Sequence, residues 1–254
     1  LDFASLSVSR KDESASPFYE TVNLSVSTPV YQHMELIPLF PLSIVVFPGQ
    51  HVPLHIFEAR YKEMIADCEA SPDGESSSFG ISLATNEGRK MESIGCTVVV
   101  EEIGPKYPDG SFDIVGQGRR RYLTRETYGD RAYATARVEY FDDVEEEEDT
   151  ALVNALGERL SQLEKLASAS VDPDESEGQP ALPDANATGR DKASFAIAAR
   201  TLPEAGKRQQ LLVMTSENSR LQFLVDHLDD MLPALRDRIE EQQRAKSNGK
   251  PRQR

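Results

Sequence analysis

The chain has 254 residues, 39% of them hydrophobic, with a formal net charge of −15 and a pI near 4.8. That length and apolar content support one large domain or two small ones with a real core. The acidic balance argues against a nucleic-acid partner, because binding phosphate requires clustered Lys and Arg.

Residues 1–33 are Ser-rich and aperiodic, and a disordered or loosely ordered leader is expected there. Met34 directly precedes the first structured-looking segment and is expected to be the biological start. No basic region followed by an apolar one opens the chain, and no stretch reaches the roughly 18 to 20 apolar residues that span a bilayer. The two cysteines, Cys68 and Cys96, form no CxxC pair, which predicts buried thiols in a reducing compartment and a cytoplasmic setting.

From residue 34 to 141 the pattern is mainly that of strands. Ile37–Phe40 and Ile44–Phe47 are short apolar runs bounded by proline, suited to edge or bulged strands where a missing N–H is tolerated. Glu58–Glu69 then carries Tyr61, Met64, Ile65 and Cys68 at spacings of three and four, the face of one inserted amphipathic helix. Strands are expected at Phe79–Ala84, Cys96–Ile103, Phe112–Gly118, Tyr122–Glu126 and Ala132–Phe141. In "YPDGSF", from Tyr107, Pro108 presets φ while Asp109 and Gly110 accept left-handed conformations, so an antiparallel hairpin should close there.

After residue 141 the character changes to helical, over 142–246. The acidic run Asp142–Asp149 reads as a solvated helix start, ahead of a helix at Ala151–Ala169 with Leu152, Leu156, Leu160 and Leu163 on one face. Val171–Gly189, rich in Pro, Gly and acids, reads as a flexible loop. Helices should follow at Asp191–Thr201, Pro203–Met214 and Ser216–Lys246; Pro203 suits a first turn and Pro233 should kink or break the last. Residues 247–254 should be a disordered tail.

The common chemical signatures do not match. His51 and His55 straddle Pro53, so they lie on extended chain about 13 Å apart and cannot share a metal; no metal or cofactor is expected. "EAGKRQ" at Glu204 lacks the glycine spacing and hydroxyl of a phosphate-binding loop, and no GxSxG elbow occurs. Arg119, Arg120 and Arg121 alternate across a strand and cannot form one basic row. Glu58 and Arg60, two apart, should face different directions and pair separately.

The opening "IPLFPLSIVVFPG" with "VPLHIFEARYKEMI" resembles the start of the Lon protease N-terminal domain family. "GCTVVVEEIGPKYPDGSFDIVGQGRRRY" is similar to that family's central hairpin, and "LPEAGKRQQLLVMTSENSRLQFLVDHL" to its closing helices. Pro41, Phe47, Pro48, Gly49, Pro53, Phe57, Glu58, Arg60, Tyr61, Asp113, Gly118 and Arg121 carry the match, in mainly structural roles. Of these, Phe47, Phe57 and Tyr61 are expected in the core, since large apolar side chains at periodic positions usually pack inward.

The resemblance implies an α+β fold: a β-rich PUA-like pseudo-barrel with one inserted helix, then a helical bundle. It also implies a stand-alone, non-catalytic domain without the ATPase and protease modules of full Lon enzymes. Such a domain would bind unfolded or extended polypeptides, as an adaptor in protein quality control with a separate protease as a partner. A hydrolase or peptidase with an unrecognised site, and RNA binding through the PUA-like fold, are the alternatives.

Overall fold

The first strand can hold two prolines because it changes neighbours partway along. In the computed structural model, which describes residues 31–70, 78–85, 90–129, 131–170 and 192–248, β1 (Tyr31–Leu42) pairs antiparallel with β6 (Thr135–Phe141) up to Pro38. From Leu39 it pairs parallel with β3 (Ser78–Thr85). Each half thus has one ladder, so a missing proline N–H costs little. The expectations for residues 1–30, 171–189 and 249–254 lie outside the described residues, while residues 31–33 belong to β1 rather than to a leader.

The remaining strands are β2 (His51–Ile56), β4 (Lys90–Ile103) and β5 (Phe112–Tyr128), giving the order β2-β5-β4-β3-β1-β6 with β5 also paired to β6. That last pairing closes the sheet into a barrel. One edge of β5 is covered by β4, while the other is shared by β2 and then by β6. Two strands were expected across this region, broken at Arg119–Arg121; instead one 17-residue strand runs through. Ile44–Phe47 is not a strand either. Its Val45 carbonyl is satisfied by the Arg208 guanidinium at 2.9 and 3.2 Å, so this buried backbone needs no ladder there.

Turn chemistry follows the sequence. Gly49 lies at φ 77° after Pro48, with the Gln50 N–H donating to the Phe47 carbonyl, the pattern of a type II turn. In the β4–β5 hairpin only Gly110 is left-handed among the described residues, at φ 75°; Asp109 serves instead by accepting from the Ser111 N–H and hydroxyl.

Helix α1 (Ala59–Ala70) buries Tyr61, Met64, Ile65 and Cys68 against Phe40, Phe79 and Ile81, as its spacing requires. A further cluster of Ile37, Leu39, Tyr122 and Val138 packs between strands, with the Tyr122 hydroxyl 2.8 Å from Ser82. The helical part comprises α2 (Thr150–Ser170), α3 (Ala193–Thr201), α4 (Ala205–Val213) and α5 (Glu217–Asn248). Pro203 sits ahead of α4 rather than in its first turn, and α5 runs uninterrupted through Pro233. Leu156, Leu160, Leu211, Leu221, Leu224 and Leu228 form its core, which reaches the barrel through Val45, Phe47 and Leu83.

The acidic run Asp142–Asp149 is not a helix start but a strap. Val144 N–H donates to the Thr215 carbonyl, and the Glu146 carboxylate accepts from Ser216 and the Asn218 N–H. Asp149 then caps α2 by accepting from the N–H groups of Ala151 and Leu152.

Candidate functional site

The residues that carry the family resemblance divide into two places. The first is the junction between barrel and helices. Phe47 is fully buried there, stacked on Phe195 at 5.5 Å between ring centres and covered by Arg208 at 4.6 Å. Pro48 and Gly49 turn the chain beneath it, and Gly118 passes so close that a Cβ would lie 2.1 Å from the Phe47 carbonyl oxygen. Any side chain at that position would force the backbones apart. Pro41 lies in β1 opposite Ser82.

Arg121, 4% exposed, anchors the same junction by donating to the carbonyls of Leu212 at 3.1 Å and Met214 at 2.5 Å, and to Asp143. Asp143 also accepts from Arg220, which is fully buried in α5 and donates further to Ser194 at 2.8 Å and Glu217 at 2.5 Å. Phe195 underlies both guanidinium groups, at 4.3 Å from Arg220 and 5.4 Å from Arg121. Burial alone would raise the Asp143 carboxyl, but hydrogen bonds and charge from Arg220, with Arg121 behind, hold it below the usual carboxylate range. A cleft of about 980 Å³ opens beside this network, lined by Arg119, Arg120, Tyr140, Glu145 and Lys192 among others.

The arginine triplet diverges where the β4–β5 register shifts, between Cys96 opposite Arg121 and Val98 opposite Gly118. Arg121 turns to the junction, Arg120 lies over the Tyr140 ring at 4.3 Å, and Arg119 approaches Glu101 at 4.0 Å.

The second place is the end of β2. Phe57 was expected in the core, yet it is 63% exposed. It follows the last residue of β2 and precedes α1, so neither the alternation of the strand nor the period of the helix turns it inward. Beside it, Tyr107 is 46% exposed, with the His55 ring 6.0 Å from Phe57 and 5.8 Å from Tyr107. Asp113 ties the patch together, accepting from the Tyr107 hydroxyl at 2.5 Å and standing 2.7 Å from His55 Nδ1. Those two hydrogen bonds, Tyr107 first, hold the Asp113 carboxyl below its usual range.

Glu58 and Arg60 pair with each other at 2.8 Å, contrary to expectation. Glu58 stands just outside α1, its carbonyl accepting from Tyr61 and Lys62, so helical spacing does not govern its side chain. Tyr61 is buried as expected, its ring 4.0 Å from that of Phe40.

The histidines do not meet: His51 pairs with Glu101 at 3.0 Å and His55 with Asp113. Among the described residues, no three His, Cys, Asp or Glu are grouped to hold a metal, and no helix is long and apolar enough to cross a membrane. Burial pushes the Cys96 thiol up to about 12 and Cys68 up to about 11, so both stay protonated. The Ser194 hydroxyl donates to Glu217 at 2.7 Å but is fully buried.

Sequence reasoning missed Asp143, Arg220, Arg208 and Tyr107. The one available signal was Arg220 and Arg208 lying beside apolar residues in helices, where a charge needs a partner.

A family model described as "ATP-dependent protease La (LON) substrate-binding domain" matches residues 36–230. Among solved structures, the chain is similar to the Lon N-terminal domain protein from Xanthomonas campestris, with 23% identity and a TM-score of 0.53 over 76% of this chain and 98% of that one. It is also similar to the N-terminal domain of Mycobacterium avium complex Lon protease, with 23% identity and a TM-score of 0.55 over 77% of this chain and 99% of that one. At that identity the likeness establishes a shared α+β fold, and it spans both the barrel and the helices.

Proposed function

Because this chain belongs to the ATP-dependent protease La (LON) substrate-binding domain family, we propose that it binds unfolded or extended polypeptides without catalysing their cleavage, as an adaptor that presents clients to a separate protease. The observation that carries the reading is the exposed aromatic pair Phe57 and Tyr107, gathered around the His55 ring at the end of β2. Exposed aromatic residues of this kind supply contact area at low entropic cost. The hydrogen bonds of Asp113 keep Tyr107 and His55 in place before any partner arrives.

Fluorescence anisotropy with a labelled unfolded polypeptide tests this. Binding should be saturable, absent for a folded control protein, and weakened about tenfold or more by Phe57→Ser, in keeping with the loss of one buried aromatic contact. Phe57→Ser should leave the melting temperature unchanged, since the side chain is already largely in water. Undiminished affinity in that variant would remove the patch from the reading, and turnover of a fluorogenic peptide by the pure protein would refute its non-catalytic character.

A further inference from the structure

Resting on the polypeptide-binding reading, the geometry points to a mode of binding: we propose that the outer edge of β2 accepts an extended polypeptide as an added strand, backbone to backbone, beside Phe57. In an antiparallel pair, a residue whose carbonyl accepts from the partner strand directs both of its backbone groups to that side, and the next residue directs both away. The Gly118 N–H donates to the Gln50 carbonyl at 2.8 Å, and the β2–β5 register runs unbroken from His51 opposite Gln117 to Ile56 opposite Phe112. Val52, Leu54 and Ile56 therefore face β5, whereas the backbone groups of His51, Pro53 and His55 point outward. The other edge of β5 agrees, because the Asp113 carbonyl accepts from the Gly104 N–H on the β4 side.

Among the described residues, β2 stands at the end of the sheet order with β5 as its one strand neighbour. Its edge offers N–H and C=O at His51 and His55 and C=O at Pro53, repeating every two residues, or about 6.6 to 6.8 Å. Only another extended backbone matches such a row. Pro53 sits where a proline removes no bond to β5, which explains its place in the strand and leaves the edge short of one donor. The His51 and His55 side chains lie toward Glu101 and Asp113 across the sheet face, so they do not cap the edge. A strand added there would run past Phe57 at the end of β2, where alternate side chains could rest on the patch.

The probe is a labelled peptide of about twelve residues alternating Phe or Val with Ser, a length that covers the edge and the patch. The test is a scan of single backbone N-methylations measured by anisotropy, which leaves the protein untouched. Affinity should fall at every second residue through the bound stretch and hold at the residues between. On the protein side, His55→Pro removes an outward N–H and should weaken binding about three- to tenfold relative to His55→Ala, while Pro53→Val restores one and should strengthen binding by a similar factor. Circular dichroism confirms that each variant is folded.

A scan without the two-residue alternation, in a peptide that binds and loses affinity with Phe57→Ser, would overturn the edge while leaving the polypeptide reading in place. No binding of any peptide would overturn both. Sedimentation showing a dimer that dissociates in His55→Pro would assign the edge to a second copy of this chain and refute the peptide as its occupant.

Discussion

Replacing Asp143 should destabilise the fold far more than its place in an acidic surface run suggests. The cluster holds two arginines, Arg121 and Arg220, and two carboxylates, Asp143 and Glu217, with both guanidinium groups essentially removed from water. Asp143→Ala leaves two buried cations facing one carboxylate, and removing one partner from a buried ion pair costs about 3–5 kcal/mol. For a domain of this size each kcal/mol shifts the melting temperature by about 2–4 °C, so a drop of about 6–20 °C is expected. Urea unfolding followed by far-UV circular dichroism should show a lower midpoint at unchanged slope.

The pH dependence fixes the sign independently. The folded carboxyl lies below its ordinary value, so its contribution is complete above about pH 4 and disappears as pH falls through the depressed value. Asp143→Asn should therefore lose stability less steeply than the parent below about pH 4, and the two curves should converge. A loss in Asp143→Ala of less than about 1 kcal/mol at neutral pH would refute the reasoning, placing the pair in the range of exposed salt bridges.

Gly118→Ala should cost about 1–3 kcal/mol or more by calorimetry, because its Cβ would lie 2.1 Å from a backbone oxygen that cannot swing aside. Cys68 and Cys96 should resist a disulfide-exchange reagent at pH 8 until denaturant is added, since burial pushes both thiols to about 11 and about 12. Pro233→Ala should raise the melting temperature, because an exposed proline inside α5 carries a penalty of about 3 kcal/mol relative to alanine. Arg208→Met should destabilise by about 2–4 kcal/mol, measured by urea unfolding, because it leaves the carbonyls of Val45, Ala199 and Leu202 without their donor.

Local patterns announced the elements whose partners are near in sequence. The period of Tyr61, Met64, Ile65 and Cys68 located α1, and Pro108 with Gly110 located the hairpin, because both depend on the few residues around them. The two strands expected at Phe112–Gly118 and Tyr122–Glu126 are one, and the buried Arg121 between them is paired with Asp143, 22 residues away. The same distance concealed Asp143, whose seven neighbours in the acidic run are mostly exposed. Phe57 was misplaced for the opposite reason: the rule that large apolar side chains pack inward has no purchase where strand and helix periods hand over. Arg208 explains the missing strand at Ile44–Phe47, as a side chain from α4 took the role of a ladder.

The junction bears on the proposed strand addition as well as on stability. Arg208 donates both to the Val45 carbonyl and to the Gln50 side chain at 2.7 Å, while Gln50 accepts from Gly118 at the start of β2. The Gln50 side chain also accepts from the Phe47 N–H, and Gly49 donates to the Gly118 carbonyl. One end of β2 is thereby fixed to the helices through Phe47, and the other end is fixed where Ile56 enters the core shared with α1. An edge held at both ends gives up little conformational freedom when a chain docks, so the ordering cost falls almost wholly on the incoming polypeptide. Under the proposed strand addition, that division would favour partners already extended or unfolded, because a folded one must first free a strand, and the edge would discriminate by the partner's conformation more than by its sequence.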